Sequence, residues 1–212
     1  MIPLKDNIPA KTFCIFNIGL MFLNIAVYLF MLSLSSKEYM AFIMEFGFIP
    51  SNISLLDLFS SMFIHGGFIH LLGNMLFLWV FGDNVEDRLG HINFIVMFLT
   101  AGVVATMTHT VLDLNSNLPL IGASGAISGV IGSYFVLFPR AKILTLVPLG
   151  LFITVVALPA YIFLGLWFII QLIYGFSSLG VVSEGGVAWW AHVGGFIAGY
   201  IWALPIKNSQ RR

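Results

Sequence analysis

Between Phe13 and Ile206 the chain is mostly apolar runs, several reaching the roughly 17–25 residues that a bilayer crossing needs. Each is closed by a charge, a proline or a break rich in Gly and Asn. Few folds accept that pattern. Backbone N–H and C=O groups in hydrocarbon find no water, so the runs must close their hydrogen bonds internally, as helices. A soluble domain could not hide this much apolar surface, because 59% of the 212 residues are hydrophobic and only 8% charged. The expected fold class is an all-α membrane protein. The single cysteine, Cys14, forms no internal disulfide and says nothing of redox compartment. The run after Phe13 is too long for a signal-peptide core, so no cleavable leader and no appended soluble domain are expected.

Six spans are predicted, at 13–34, 68–81, 92–112, 122–138, 153–174 and 189–206, between tails 1–12 and 207–212. Residues Ser35–Ile64 read as an irregular apolar linker lying at the interface. Gly82–Arg88 reads as the loop closing span two, and Lys142–Phe152 as a hairpin or re-entrant piece turning at Pro148-Leu149-Gly150. Lys5, Lys11, Arg88, Arg140, Lys142, Lys207, Arg211 and Arg212 fall on one side of this topology, and Lys37 alone on the other. By the positive-inside rule both termini are then cytosolic.

Span four opens on Ile121-Gly122-Ala123-Ser124-Gly125-Ala126-Ile127-Ser128-Gly129. Gly125, Gly129 and Ser133 share one helical face, with Ser124, Ser128 and Gly132 beside it. Such a face lets another helix approach backbone to backbone, and that reading needs no chemistry. Polar residues on the other spans add a second reading. His70 and Asn74 share a face at the start of span two, with His65 just before; His192 opens span six, on the face of Gly195 and Gly199. Ser124, His192 and His70 sit at the outer ends of spans running inward, on the order of 6–10 Å below the surface, counting about 1.5 Å per residue from the cytosolic charges. Polar groups at that depth mark a functional site by default.

If the glycine faces of spans four and six meet, His192 projects at Ser124. A histidine bonded to a serine is the minimum apparatus for acyl transfer. Asn74, with His70 beside it, is placed to stabilise an oxyanion, although His70 serves equally well as a hydrogen-bond partner for the linker. His65 reads as structural. No carboxylate lies at this depth, so the expected unit is a dyad. No cofactor, metal or nucleic acid is expected.

Gly122-Ala123-Ser124-Gly125, Ala191-His192-Val193-Gly194-Gly195 with Gly199, His65-x4-His70-x3-Asn74, and Gly82–Gly90 together resemble the rhomboid family of intramembrane serine proteases. The resemblance covers about Asp57 to Leu204 and implies a six-helix rhomboid-like bundle of the minimal bacterial type. It implies Ser124 as nucleophile and His192 as base. His70, Asn74 and the Ala123-Ser124 backbone would form the oxyanion site, while Gly125, Gly129, Gly195 and Gly199 pack the helices. Span five and the Gly175–Val187 loop would be gate and cap. The implied partners are single-span membrane proteins and the bilayer, in a prokaryotic cytoplasmic membrane with the site open to the outside. Two departures stand out: Ser128 occupies a position where many members carry an aromatic that packs on the histidine, for which Trp190 is a substitute, and no first-loop Arg is present. The alternative is a non-catalytic rhomboid-like binder of membrane clients. A channel fits less well, since the polar residues stop at one level.

Overall fold

The computed structural model describes residues 1–149, 152–179 and 186–209. The helices are α1 Ile15–Leu32, α2 Ser36–Phe46, α3 Leu55–Ser60, α4 Phe68–Phe77, α5 Asp83–Leu89, α6 His91–Leu112, α7 Ser124–Leu137, α8 Ala160–Ser177 and α9 Trp189–Ser209. A π-helical turn, Leu78–Gly82, joins α4 to α5 into one rod, Phe68–Leu89. Among the described residues four helices are long and apolar enough to cross a membrane: α1, the α4–α5 rod, α6 and α8. Helix α7 is apolar but has 14 residues, roughly 21 Å against a hydrocarbon core of about 30 Å. Nearly every residue after its first turn is buried. A short helix that is apolar all round belongs inside a bundle, where protein rather than lipid surrounds it.

Small residues let α7 sit there. A Cβ added to Gly195 or Gly199 of α9 would run into the carbonyl oxygens of Gly125 and Gly129, and one added to Gly132 would run into that of Phe196. Ser133 Oγ donates to the Gly199 carbonyl over 2.9 Å. On the other flank a Cβ on Gly125 would lie 2.7 Å from the Ala105 side chain of α6. Helix α7 is thus held between α6 and α9 at near backbone contact.

The segment Gly82–Arg88 is not the loop expected after span two. It continues the rod into α5, and Gly90, at φ 79°, makes the break before α6. The reason is a long-range cap. Glu86, fully buried, accepts from the backbone N–H groups of Phe16 (3.1 Å) and Asn17 (2.7 Å) in the first turn of α1, where Cys14 supplies no side-chain cap. Asn17 in turn donates to the Leu78 carbonyl in the π turn over 3.2 Å, and Gly82 leaves the space its side chain fills. Glu86→Ala is expected to lower stability by about 3 kcal/mol, because it strands buried donors. Glu86→Gln, which keeps one acceptor oxygen, should lose less; thermal unfolding of both variants in detergent checks this.

Three further expectations are corrected. The chain is not all helix: β1 Ile2–Lys5, β2 Lys142–Leu149 and β3 Phe152–Pro159 form an antiparallel sheet in that order. The tail therefore carries a strand, paired Ile2 to Leu146 and Pro3 to Thr145. Tyr134 donates to Asp6 just beyond it; burial pushes the Asp6 carboxyl above its usual range, against that hydrogen bond. Residues 153–159, counted in span five, belong to the hairpin, whose pairing runs from Lys142 with Pro159 to Leu149 with Phe152. Their β-branched run, Ile153-Thr154-Val155-Val156, suits a strand, and helix starts only after Pro159. The linker is largely helical. Ser35 and Glu38 form a capping box on α2, and Ser54 caps α3. The hairpin turn at Gly150, residues 180–185 of the expected cap, and tail residues 210–212 lie outside the described residues.

Candidate active site

Ser124 is the first residue of α7. The strand of chain before it is strapped from the linker side: Phe48 and Leu120 exchange backbone hydrogen bonds of 3.0 and 2.7 Å, and Gly122 N–H donates to the Ser61 carbonyl over 2.8 Å. Gly122 has φ 112°, a conformation that side chains resist, and a Cβ there would lie 2.6 Å from the His70 ring. The turn therefore needs glycine twice over. It delivers the Ser124 hydroxyl at a helix N-terminus, where first-turn N–H groups lack intrahelical partners.

Helix α9 brings His192. His192 lies one turn before Gly195, the residue seated on the Gly125 carbonyl. With the backbones that close, His192 Nε2 comes 2.9 Å from Ser124 Oγ. The Ser128 hydroxyl donates back to the Ser124 carbonyl over 2.7 Å. The imidazole is instead flanked by Trp167 of α8, with centroids 5.9 Å apart and planes at 33°, and by Trp189 edge-on at 6.3 Å. Trp190, the substitute expected from sequence, turns away. It donates to the Gly175 carbonyl over 3.0 Å and packs on Phe176. On the far side of the ring, His192 Nδ1 is 2.8 Å from Gln171 Oε1. Sequence reasoning missed Gln171, yet a lone amide in the apolar Ala160–Tyr174 run was the available signal.

The third wall comes from α4. Asn74 is buried, and its amide is 2.8 Å from Nε2 of His65, which is fully buried. An amide nitrogen can only donate, so His65 accepts there. His65 meets His70 edge to face at 5.0 Å. Sequence reasoning set His65 aside as structural; it holds Asn74. Ser124, His192, His70, Asn74, Gly122 and Trp167 all line one cavity of about 700 Å³. Ala123 is fully buried and does not line the cavity. Among the described residues no three His, Cys, Asp or Glu side chains come together as a metal site would require.

A serine hydroxyl hydrogen-bonded to an imidazole, with amide and imidazole groups across the same cavity, is an arrangement suited to acyl transfer. Comparison with known proteins agrees at the level of family. Residues 52–209 match the rhomboid domain. The mitochondrial Rhomboid protein 1 of Saccharomyces cerevisiae is 30% identical over 186 residues, 83% of this chain and 49% of that protein. The Rhomboid protease GluP of Bacillus subtilis is 29% identical over 151 residues, 70% of this chain and 25% of that protein. The mitochondrial Presenilin-associated rhomboid-like protein A of Danio rerio is 32% identical over 95 residues, 44% of this chain and 25% of that protein. The chain spans about half, or less, of the length of these relatives.

Proposed function

The chain belongs to the rhomboid family, and on that premise we propose that it is an intramembrane serine endopeptidase, with Ser124 as nucleophile and His192 as general base. One observation carries the reading: the 2.9 Å contact between Ser124 Oγ and His192 Nε2, at a helix N-terminus on the wall of a cavity. A relative that bears the word protease in its name, GluP, supports it.

In this reading Ser124 Oγ attacks the scissile carbonyl carbon as Nε2 takes its proton. The oxygen of the tetrahedral intermediate gains negative charge. The second N–H of the Asn74 amide, the one not given to His65, stabilises it together with His70 and the backbone N–H of Ser124. The C–N bond then breaks, the leaving amine takes the proton from Nε2, and the acyl group stays on Oγ. Water, deprotonated by the same imidazole, then attacks the acyl carbon; the bond to Oγ breaks, Oγ takes the proton back from Nε2, and the acid leaves. Substrates in this reading are single-span membrane proteins, admitted past α8. The peptide must arrive extended, because a regular helix keeps its carbonyl carbons inside hydrogen-bonded turns.

The protein is an integral membrane protein, with several apolar helices and a rhomboid domain. We place α7 and α9 as the remaining two of six spans, with the basic residues on the cytosolic side, or its mitochondrial equivalent, and the cavity opening on the other. The test of the catalytic reading is cleavage of tagged single-span substrates in liposomes, with fluorophosphonate labelling of the same preparations. Wild type should cut and label, and Ser124→Ala should do neither. A folded wild-type chain that does neither, or a Ser124→Ala chain that still cuts, overturns the reading in favour of client binding without catalysis.

A further inference from the structure

The imidazole of His192 has two nitrogens, and only one faces Ser124. To act as a base at Nε2, the neutral ring must carry its proton on Nδ1. What the other nitrogen meets decides whether it does. It meets Gln171 Oε1 at 2.8 Å. The orientation of that amide is itself fixed: Gln171 Nε2 donates to the Trp167 carbonyl one turn back, over 3.3 Å, so the oxygen turns to the imidazole. An oxygen there can only accept, and Nδ1 must therefore donate. The side chain is buried, with 4% of its surface exposed, so no water competes for the place.

We propose that Gln171 is a positioning residue that holds His192 in the tautomer with the proton on Nδ1 and bare Nε2 turned to Ser124. This rests on the protease reading above and adds a third group to it. The device differs from a carboxylate in one respect. A neutral amide orients the ring and selects its tautomer without placing a charge in a buried apolar site, where an unpaired carboxylate is costly. Gln171 and Trp167 stand four residues apart on one face of α8, so a single helix supplies both the hydrogen bond and the ring contact to His192. An outward displacement of α8 would remove both together and leave the base unoriented.

Two measurements on the full chain test the proposal. The first is nitrogen NMR of histidine-labelled protein in lipid nanodiscs, with His192 assigned by its absence in His192→Gln. Wild type should show a protonated Nδ1 and a bare Nε2, and Gln171→Met should show a mixture of tautomers. A wild-type ring protonated on Nε2, or a tautomer unchanged in Gln171→Met, overturns the proposal. The second is kinetic. Gln171→Met should lower kcat and the rate of fluorophosphonate labelling by about 100-fold, with KM within about twofold, the low end of what general-base catalysis contributes. Gln171→Glu, which keeps an acceptor oxygen in place, should recover most of that loss. Wild-type labelling rates in Gln171→Met, a loss confined to KM, or a folded Gln171→Glu no faster than Gln171→Met would each overturn it. The NMR result needs no substrate. A wild type that neither cuts nor labels therefore defeats the protease reading alone, and the tautomer still decides the role of Gln171.

Discussion

Ser124→Ala is expected to reduce cleavage of a single-span substrate by at least about 10⁴-fold, while the protein keeps its fold. The size follows from the role proposed for the hydroxyl. Without Oγ no acyl-enzyme forms, and the remaining groups can only polarise a carbonyl and position it for attack by water. The fold should survive because Ser124 and His192 both line the cavity, so removing the hydroxyl opens no void within the packed bundle. His192→Ala should cost a similar factor, and the double variant little more than either alone, because the two side chains act as one unit. Cleavage rates in liposomes, with melting temperatures on the same samples, check this. Additive losses in the double variant would mean that the two residues do not share a step.

Gly199→Val is expected to be the most damaging single change away from the cavity. The added Cβ would overlap the Gly129 carbonyl oxygen and lie 2.6 Å from the Gly129 Cα. Those atoms are backbone, so no rotamer change relieves the clash; α9 must move off α7. Overpacking of this kind costs about 3 kcal/mol, at the upper end of the usual range. Loss of the Ser133 hydroxyl bond to the Gly199 carbonyl would add to it. The chemistry should suffer as well. His192 lies two turns before Gly199 on the same face, and a shift of α9 by about 1 Å takes Nε2 out of hydrogen-bond reach of Ser124. Fluorophosphonate labelling should therefore fall along with the melting temperature. Gly19, where an added Cβ meets nothing, is the matched control. A Gly199→Val chain with wild-type stability and labelling would mean that α7 and α9 are not in backbone contact.

Much of this geometry is legible in the sequence. Apolar run length marks α1 and α6 as helices long enough to cross a bilayer, to within a few residues at each end, but it stops eight residues short of the end of the α4–α5 rod. The four-residue spacing of Gly125 with Gly129, and of Gly195 with Gly199, marks the two faces that meet. Two further signals lie in the sequence: the Ser35-x-x-Glu38 capping box of α2, and the lone glutamine of α8. The hairpin was harder to place. Ile153–Pro159 is apolar enough for a span, and only its β-branched character and pairing with Lys142–Leu149 make it a strand.

The sequence by itself determined the properties set by neighbours along the chain. A backbone in hydrocarbon must be helical, and a helix repeats every 3.6 residues, so run length and residue spacing already say which segments span and which residues share a face. Only the tertiary structure decided which faces oppose one another. Glu86 caps a helix 69 residues away, His65 holds Asn74, and Trp167 and Gln171 close on His192. Each depends on how far a helix is rotated about its axis, at about 100° per residue, and how far it slides against its neighbour. No local pattern encodes either quantity; the packing of all the helices together sets both.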